Sequence, residues 1–218
     1  MTQAVIFDMD GVIIDSEREH YKANQKFFVE LGIDLEALDY DRFVGLSSRL
    51  MWEEVKVKFH LDQSVEQLMD RCAEVIIDHF SGLELTAMPG LINLLDYLNE
   101  RSMMIAIASS SPMELIELVV NKLEIAEYFD LLVSGDDVPR GKPYPDVYIR
   151  TAMLLRVSPE NCVVIEDSFN GVRAAKTANM KCIGYCNPSS GNQDLSDCVA
   201  VVNSFLEHDF EKILDYLW

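Results

Sequence analysis

The chain has 218 residues, 49% of them hydrophobic, and carries 37 acidic against 18 basic side chains for a formal charge of −19. That length fits one domain or two small ones with a sizeable core, and the acidity, with no basic stripe, argues against nucleic acid or an anionic membrane surface as partner. The longest clean apolar run, Met103 to Ala108, is too short to cross a bilayer, and no secretory pattern precedes the first strand, so a soluble cytoplasmic protein is expected.

In chain order, Ala4-Val5-Ile6-Phe7 is short, apolar and partly β-branched, which predicts a buried strand. Asp8-Met9-Asp10-Gly11 follows it directly. From Ser16 to Phe80 only helical patterns occur. The first runs from Ser16 to Leu31 and stops at Gly32. A second covers Ser47 to Phe59. A third begins at Ser64, with Gln67 placed for a capping box, and carries Leu68, Met69, Cys72, Val75, Ile76 and Phe80 at helical spacing.

After Gly82 the texture changes. Pro89-Gly90 opens a helix with Leu91, Leu94, Leu95 and Leu98 on one face. A strand from Met103 to Ala108 ends in Ser109-Ser110-Ser111, where Ser111, Pro112 and Glu114 read as the cap, first-turn proline and capping-box acid of another helix. Further strands are expected at Asp130–Ser134, Cys162–Ile165, Lys181–Tyr185 and Val199–Val202, with helices at Pro145–Leu155 and Ser168–Asn179. Strands alternating with helices predict a parallel sheet joined by right-handed crossovers. The fold class is therefore α/β, with a Rossmann-like core from residues 1–15 and 82–218. The all-helical block at 16–81 is inserted just above the strand ends, where a cap over an active site belongs.

The five cysteines are odd in number and lack a C-x-x-C pair, which reads as reduced thiols and argues against a zinc site. Four other polar clusters fall beyond strand ends: Asp8/Asp10, Ser109, Lys142 and Glu166-Asp167. Singly, each has an ordinary explanation as a turn, a helix cap, a loop lysine or a helix N-terminal charge pair. Together, at one edge of one sheet, they make chemical sense. Acids without histidine or cysteine favour a hard, oxygen-seeking ion such as Mg2+. A hydroxyl and a lysine suit a phosphoryl group, and a carboxylate nucleophile suits transfer through an aspartyl phosphate.

The segments Asp8-Met9-Asp10-Gly11-Val12-Ile13-Ile14-Asp15-Ser16-Glu17, Ile107-Ala108-Ser109-Ser110-Ser111, Gly141-Lys142-Pro143-Tyr144-Pro145-Asp146 and Val164-Ile165-Glu166-Asp167-Ser168-Phe169-Asn170-Gly171 resemble, in order, the four motifs of the haloacid dehalogenase superfamily. More narrowly, the chain resembles the branch of helical-cap phosphatases and β-phosphoglucomutases. The resemblance implies that Asp8 is nucleophile and magnesium ligand. It makes Asp10 the general acid and base, with its backbone carbonyl on the metal. Asp167 becomes a metal ligand, with Glu166 on or just behind the ion, and Ser109, Ser110 and Lys142 hold phosphoryl oxygens. An acid at position 10 favours phosphoryl transfer over carbon–halogen cleavage.

In the inserted block, Ser16 and His20 match mutase residues near the cap hinge, and Val44-Gly45-Leu46-Ser47-Ser48-Arg49 resembles the cap loop that faces the site. Gly45, Ser48 and Arg49 are thus candidate substrate contacts. Arg49 falls one residue later than the mutase arginine that grips a second phosphate, with Ser48 in the matching place. Pro112 stands where mutases tend to carry lysine. The expected activity is magnesium-dependent hydrolysis of a small phosphorylated metabolite, a sugar phosphate foremost, with no obligate protein partner. The alternative is a β-phosphoglucomutase-like isomerase. A phosphorylation-driven binding switch of the receiver type fits less well, because it lacks the inserted helices and the acid pair on the first strand.

Overall fold

The computed structural model describes residues 2–34 and 43–217, the side chains of 207 and 208 excepted. Six strands form one sheet: β1 (Ala4–Phe7), β2 (Met104–Ser109), β3 (Leu131–Ser134), β4 (Cys162–Glu166), β5 (Lys181–Tyr185) and β6 (Ala200–Val202). All pair in parallel, in the order β3-β2-β1-β4-β5-β6. Every residue of β1 and β4 is buried. Strands covered on both faces have no polar side to alternate with, hence their unbroken apolar runs.

One sheet face, with Val5, Phe7, Ile105, Ile107, Val163 and Ile165, packs on α4 (Leu91–Glu100), α5 (Met113–Lys122) and the last helix, α8 (Glu207–Leu214). The other, with Ile6, Ala106, Ala108, Val164 and Cys182, packs on α6 (Asp146–Leu155) and α7 (Phe169–Thr177). The strands and helices lie where the sequence pattern places them, except that α8 has no counterpart in the sequence reading. It is short and amphipathic, and it acquires its partner only when Ile213 and Leu217 meet the core.

Between β1 and α4 stand α1 (Glu17–Glu30), α2 (Ser48–Phe59) and α3 (Val65–Ser81). They enclose a core of their own, built on Phe27, Phe28, Trp52, Val55, Leu68 and Cys72. Phe28 stacks on Trp52, and Phe27 meets the same ring edge-on. The expected Ser64–Gln67 capping box opens α3. The chain leaves the sheet layer at Ile14 and returns at Ala87 beside it, through an antiparallel bridge and a bond from the Met88 amide to the Ile13 carbonyl at 2.9 Å. Among the described residues no helix is long and apolar enough to cross a membrane.

Candidate active site

The strand order reverses at β1: the chain steps from β1 through β2 to β3, then crosses to β4 on the other side of β1. Such a switch point opens a crevice at the carboxyl ends of the strands. Asp8 leaves β1 there, and Glu166 and Asp167 end β4 beside it. One carboxylate oxygen from each of Asp8, Glu166 and Asp167 lies within 4.8 Å of the others, and all three residues are buried. Two glycines make this crowding possible. A side chain on Gly11, whose φ is +77°, would collide with the Asp167 carboxylate, and one on Gly171 would collide with that of Glu166.

Lys142 reaches into this cluster from the loop before α6. Its Nζ lies 2.9 Å from Asp8 Oδ1 and 2.6 Å from Glu166 Oε1, and the side chain is 1% exposed. Glu166 is saturated by the protein itself. Its Oε1 accepts from Lys142 and from the Tyr148 hydroxyl at 3.0 Å, and its Oε2 from the Ser168 amide and hydroxyl, both at 2.9 Å. Burial works against its charge, but Lys142 and Ser168 outweigh it and hold its pKa below the usual value.

Asp8 and Asp167 are not so well matched. Burial, with Glu166 beside it, raises the Asp8 carboxyl well above its ordinary range even against Lys142. Burial, Glu166 and Asp8 do the same to Asp167, which accepts a short bond from the Ser190 hydroxyl. Three carboxylates thus face one ammonium. A donor set of buried carboxylate oxygens with surplus negative charge fits a small hard divalent cation.

Asp10 sits differently. Its Oδ1 accepts from the Ser16 hydroxyl at 2.6 Å and from His20 Nε2 at 2.7 Å; its Oδ2 accepts from the Ser111 hydroxyl at 2.7 Å and from Ser109 at 3.3 Å. Burial opposes its charge, but His20, Ser16 and Ser111 together pull its pKa far below the ordinary value. His20 answers in kind: burial disfavours its charge, yet Asp10 raises its pKa. Ser111 therefore does not cap α5, whose N-cap position is taken by Pro112 with no side-chain bond. Its hydroxyl is drawn to the stronger acceptor, a charged carboxylate. Ser16 likewise makes no cap bond to α1.

The loop at 43–47 lies over the crevice. The Ser110 hydroxyl donates to the Gly45 carbonyl at 3.1 Å, Asn170 Nδ2 to the Val44 carbonyl at 2.9 Å, and the Ser47 amide to the Lys142 carbonyl at 3.1 Å. Gly45 has φ +67°, and a side chain there would strike Ser168. Gly45, Ser48 and His20 line one cleft with Asp8 and Asp10. Arg49 does not join them: it pairs with Glu66 at 2.8 Å, half-exposed, and lines a separate hollow beside Arg140 and Tyr144. The sequence reading missed Ser111, Tyr148, Asn170 and Ser190 as partners of site groups. Ser111 carried a local signal, as the last hydroxyl of a three-serine run at a strand end, and Asn170 lies within the fourth motif segment.

The family model for haloacid dehalogenase-like hydrolases matches residues 5–185 of this chain. A phosphorylated carbohydrates phosphatase from Thermotoga maritima is 34% identical over 183 residues, covering 82% of this chain and 82% of the relative. Hexitol phosphatase B from Escherichia coli K12 is 32% identical over 201 residues, 87% of this chain and 86% of the relative. The crystal structure of a β-phosphoglucomutase from Clostridium difficile shares 26% identity at a TM-score of 0.83, covering 100% of this chain and 99% of that one. The chain belongs to the haloacid dehalogenase-like hydrolases, in the branch that phosphatases and β-phosphoglucomutases share. Its enzyme class is that of the phosphoric monoester hydrolases.

Proposed function

We propose that this protein is a magnesium-dependent phosphatase of small phosphorylated sugars, working through an aspartyl phosphate on Asp8. The observation that carries the reading is the contrast at the first strand end. Asp8 lies among buried acids beside Lys142, while Asp10, two residues on, is held by hydroxyls and His20. Two carboxylates in such different surroundings suit two different tasks. The relatives named for phosphorylated carbohydrates and hexitols support a sugar monophosphate as substrate.

The Met9 amide and Lys142 both meet Asp8 at Oδ1 and orient the carboxylate that attacks phosphorus. As the bond from phosphorus to the leaving oxygen breaks, that oxygen takes a proton through Asp10, and His20, whose pKa Asp10 raises, supplies it to the carboxylate. In the second half Asp10 takes a proton from water, the water oxygen attacks phosphorus, and the bond to Asp8 breaks to release phosphate. One group serves both halves because they run in opposite senses. Lys142, Ser109 and Ser110 stabilise charge on the non-reacting phosphoryl oxygens. Asp8, Asp167 and the Asp10 carbonyl would hold magnesium, with Glu166 behind them fixing Lys142. The ion, when bound, neutralises the charge that the transferring phosphoryl group brings to an acidic site. Residues 16–81 serve as the cap, closing through the loop at 43–47.

The mutase reading is the weaker one. A second phosphate needs a cation in the cleft, and among the described residues its lining includes no lysine or arginine, only His20, which already serves Asp10. The test is phosphate release from hexose, pentose and hexitol monophosphates, with magnesium and after chelation. β-Glucose 1-phosphate with a bisphosphate primer is included and scored for isomer formation. Free phosphate that requires magnesium is expected. Isomer formation without phosphate release, or full activity after chelation, would overturn the proposal.

A further inference from the structure

Glu17 opens α1, and an acid in the first turn of a helix ordinarily answers the helix dipole. Its position here asks for more. Glu17, His20 and Asn24 share one face of α1 and line the cleft that holds Asp8 and Asp10. Their polar neighbours are already matched: His20 and Ser16 serve Asp10, and Asn24 Oδ1 accepts from the Cys72 thiol at 3.1 Å. The half-buried Glu17 carboxylate makes no hydrogen bond or ion pair with any described residue. It is an acceptor left open on the wall of the cleft that holds Asp8 and Asp10.

An unpaired, half-buried carboxylate in a cleft is costly unless donors arrive with a ligand. Burial, with Asp10 and Asp15 nearby, pushes its pKa up to about 7 against the pull of His20, a sign of how little the protein itself does to stabilise the charge. We infer that Glu17 is a specificity-determining residue that accepts hydrogen bonds from hydroxyl groups on the alcohol half of the substrate. Two carboxylate oxygens match two neighbouring hydroxyls of a polyol chain or sugar ring. A second anionic group at that end would instead meet like charge. The substrate class is thus a monophosphate whose other end is uncharged and hydroxyl-rich. This rests on the phosphatase reading and narrows it.

The experiment compares two kinds of ester on the purified full chain with magnesium: the best sugar or hexitol monophosphate from the panel above, and p-nitrophenyl phosphate, which offers no hydroxyls. Wild type, Glu17→Ala and Glu17→Gln are measured, with melting curves to verify folding. The ratio of kcat/KM for the sugar phosphate to that for p-nitrophenyl phosphate is expected to fall at least about tenfold in Glu17→Ala, the size of one hydrogen bond to a charged group. The loss should sit in KM, with Glu17→Gln intermediate. A ratio unchanged within twofold in a folded variant overturns the assignment of Glu17 and leaves the phosphatase reading intact. No phosphate release by wild type from any ester overturns both.

Discussion

Asp8 and Asp10 are two residues apart, yet the two sides of the cleft hold them in opposite ways. On the sheet side Asp8 shares a buried space with Glu166 and Asp167, and Lys142 is the one ammonium among them in the described residues. On the side facing α1, Asp10 is surrounded by donors from Ser16, His20 and Ser111. The first side is short of positive charge and the second is not. The difference separates a place where a cation and a phosphoryl group are expected to enter from a place where a proton is handled. The strand period alone cannot create it. It comes from which loops each carboxylate meets.

The largest effect that tests this contrast is loss of turnover in Asp8→Asn, by at least ~10³-fold, as for other sole nucleophiles. Its stability should be equal to wild type or higher, because the change removes one of three crowded carboxylates. A clear drop in melting temperature would show that the sheet side is not short of positive charge. Asp10→Asn should also lower kcat, by about 10²–10⁴-fold with little change in KM, but with the opposite effect on stability. An amide cannot take the same charged bonds, and a loss of about 1.5–3 kcal/mol in urea unfolding is expected.

Lys142→Met strips the sheet side of its ammonium. Unfolding in the presence of chelator should show a cost of about 3–5 kcal/mol, the usual result of leaving buried charge unpaired. Added magnesium should recover part of it. Equal stability with and without the ion would break the account of that side. The smallest effect is expected from Arg49→Ala. Its partner Glu66 is a surface residue and such pairs contribute little, so KM for the best sugar phosphate should move less than about twofold. A large rise would bring Arg49 back into the cleft and revive the mutase reading.

Much of this was legible in the chain. Strand limits lie within one residue of the apolar runs because β1 and β4 are buried on both faces and admit nothing polar. The acids, the serines and Lys142 were visible because each follows a strand. The partnerships were not. Lys142 and Glu166 are 24 residues apart, and Tyr148 and Glu166 are 18 apart, brought together by a crossover whose geometry no local pattern encodes. Ser111 looked like a cap because Pro112 and Glu114 after it fit a helix start, and a charged acceptor beyond another strand outbid the helix. Arg49 differs again: a position one step along a helix start rotates a side chain by ~100°, enough to send it to Glu66.

The loop at 43–47 is fastened to three separate pieces of the sheet layer, through Ser110, Asn170 and the Lys142 carbonyl. None of these bonds involves a charged side chain. Three modest tethers released together behave as a latch. On the proposed phosphatase reading, an incoming ester and the departing alcohol pass the same three tethers.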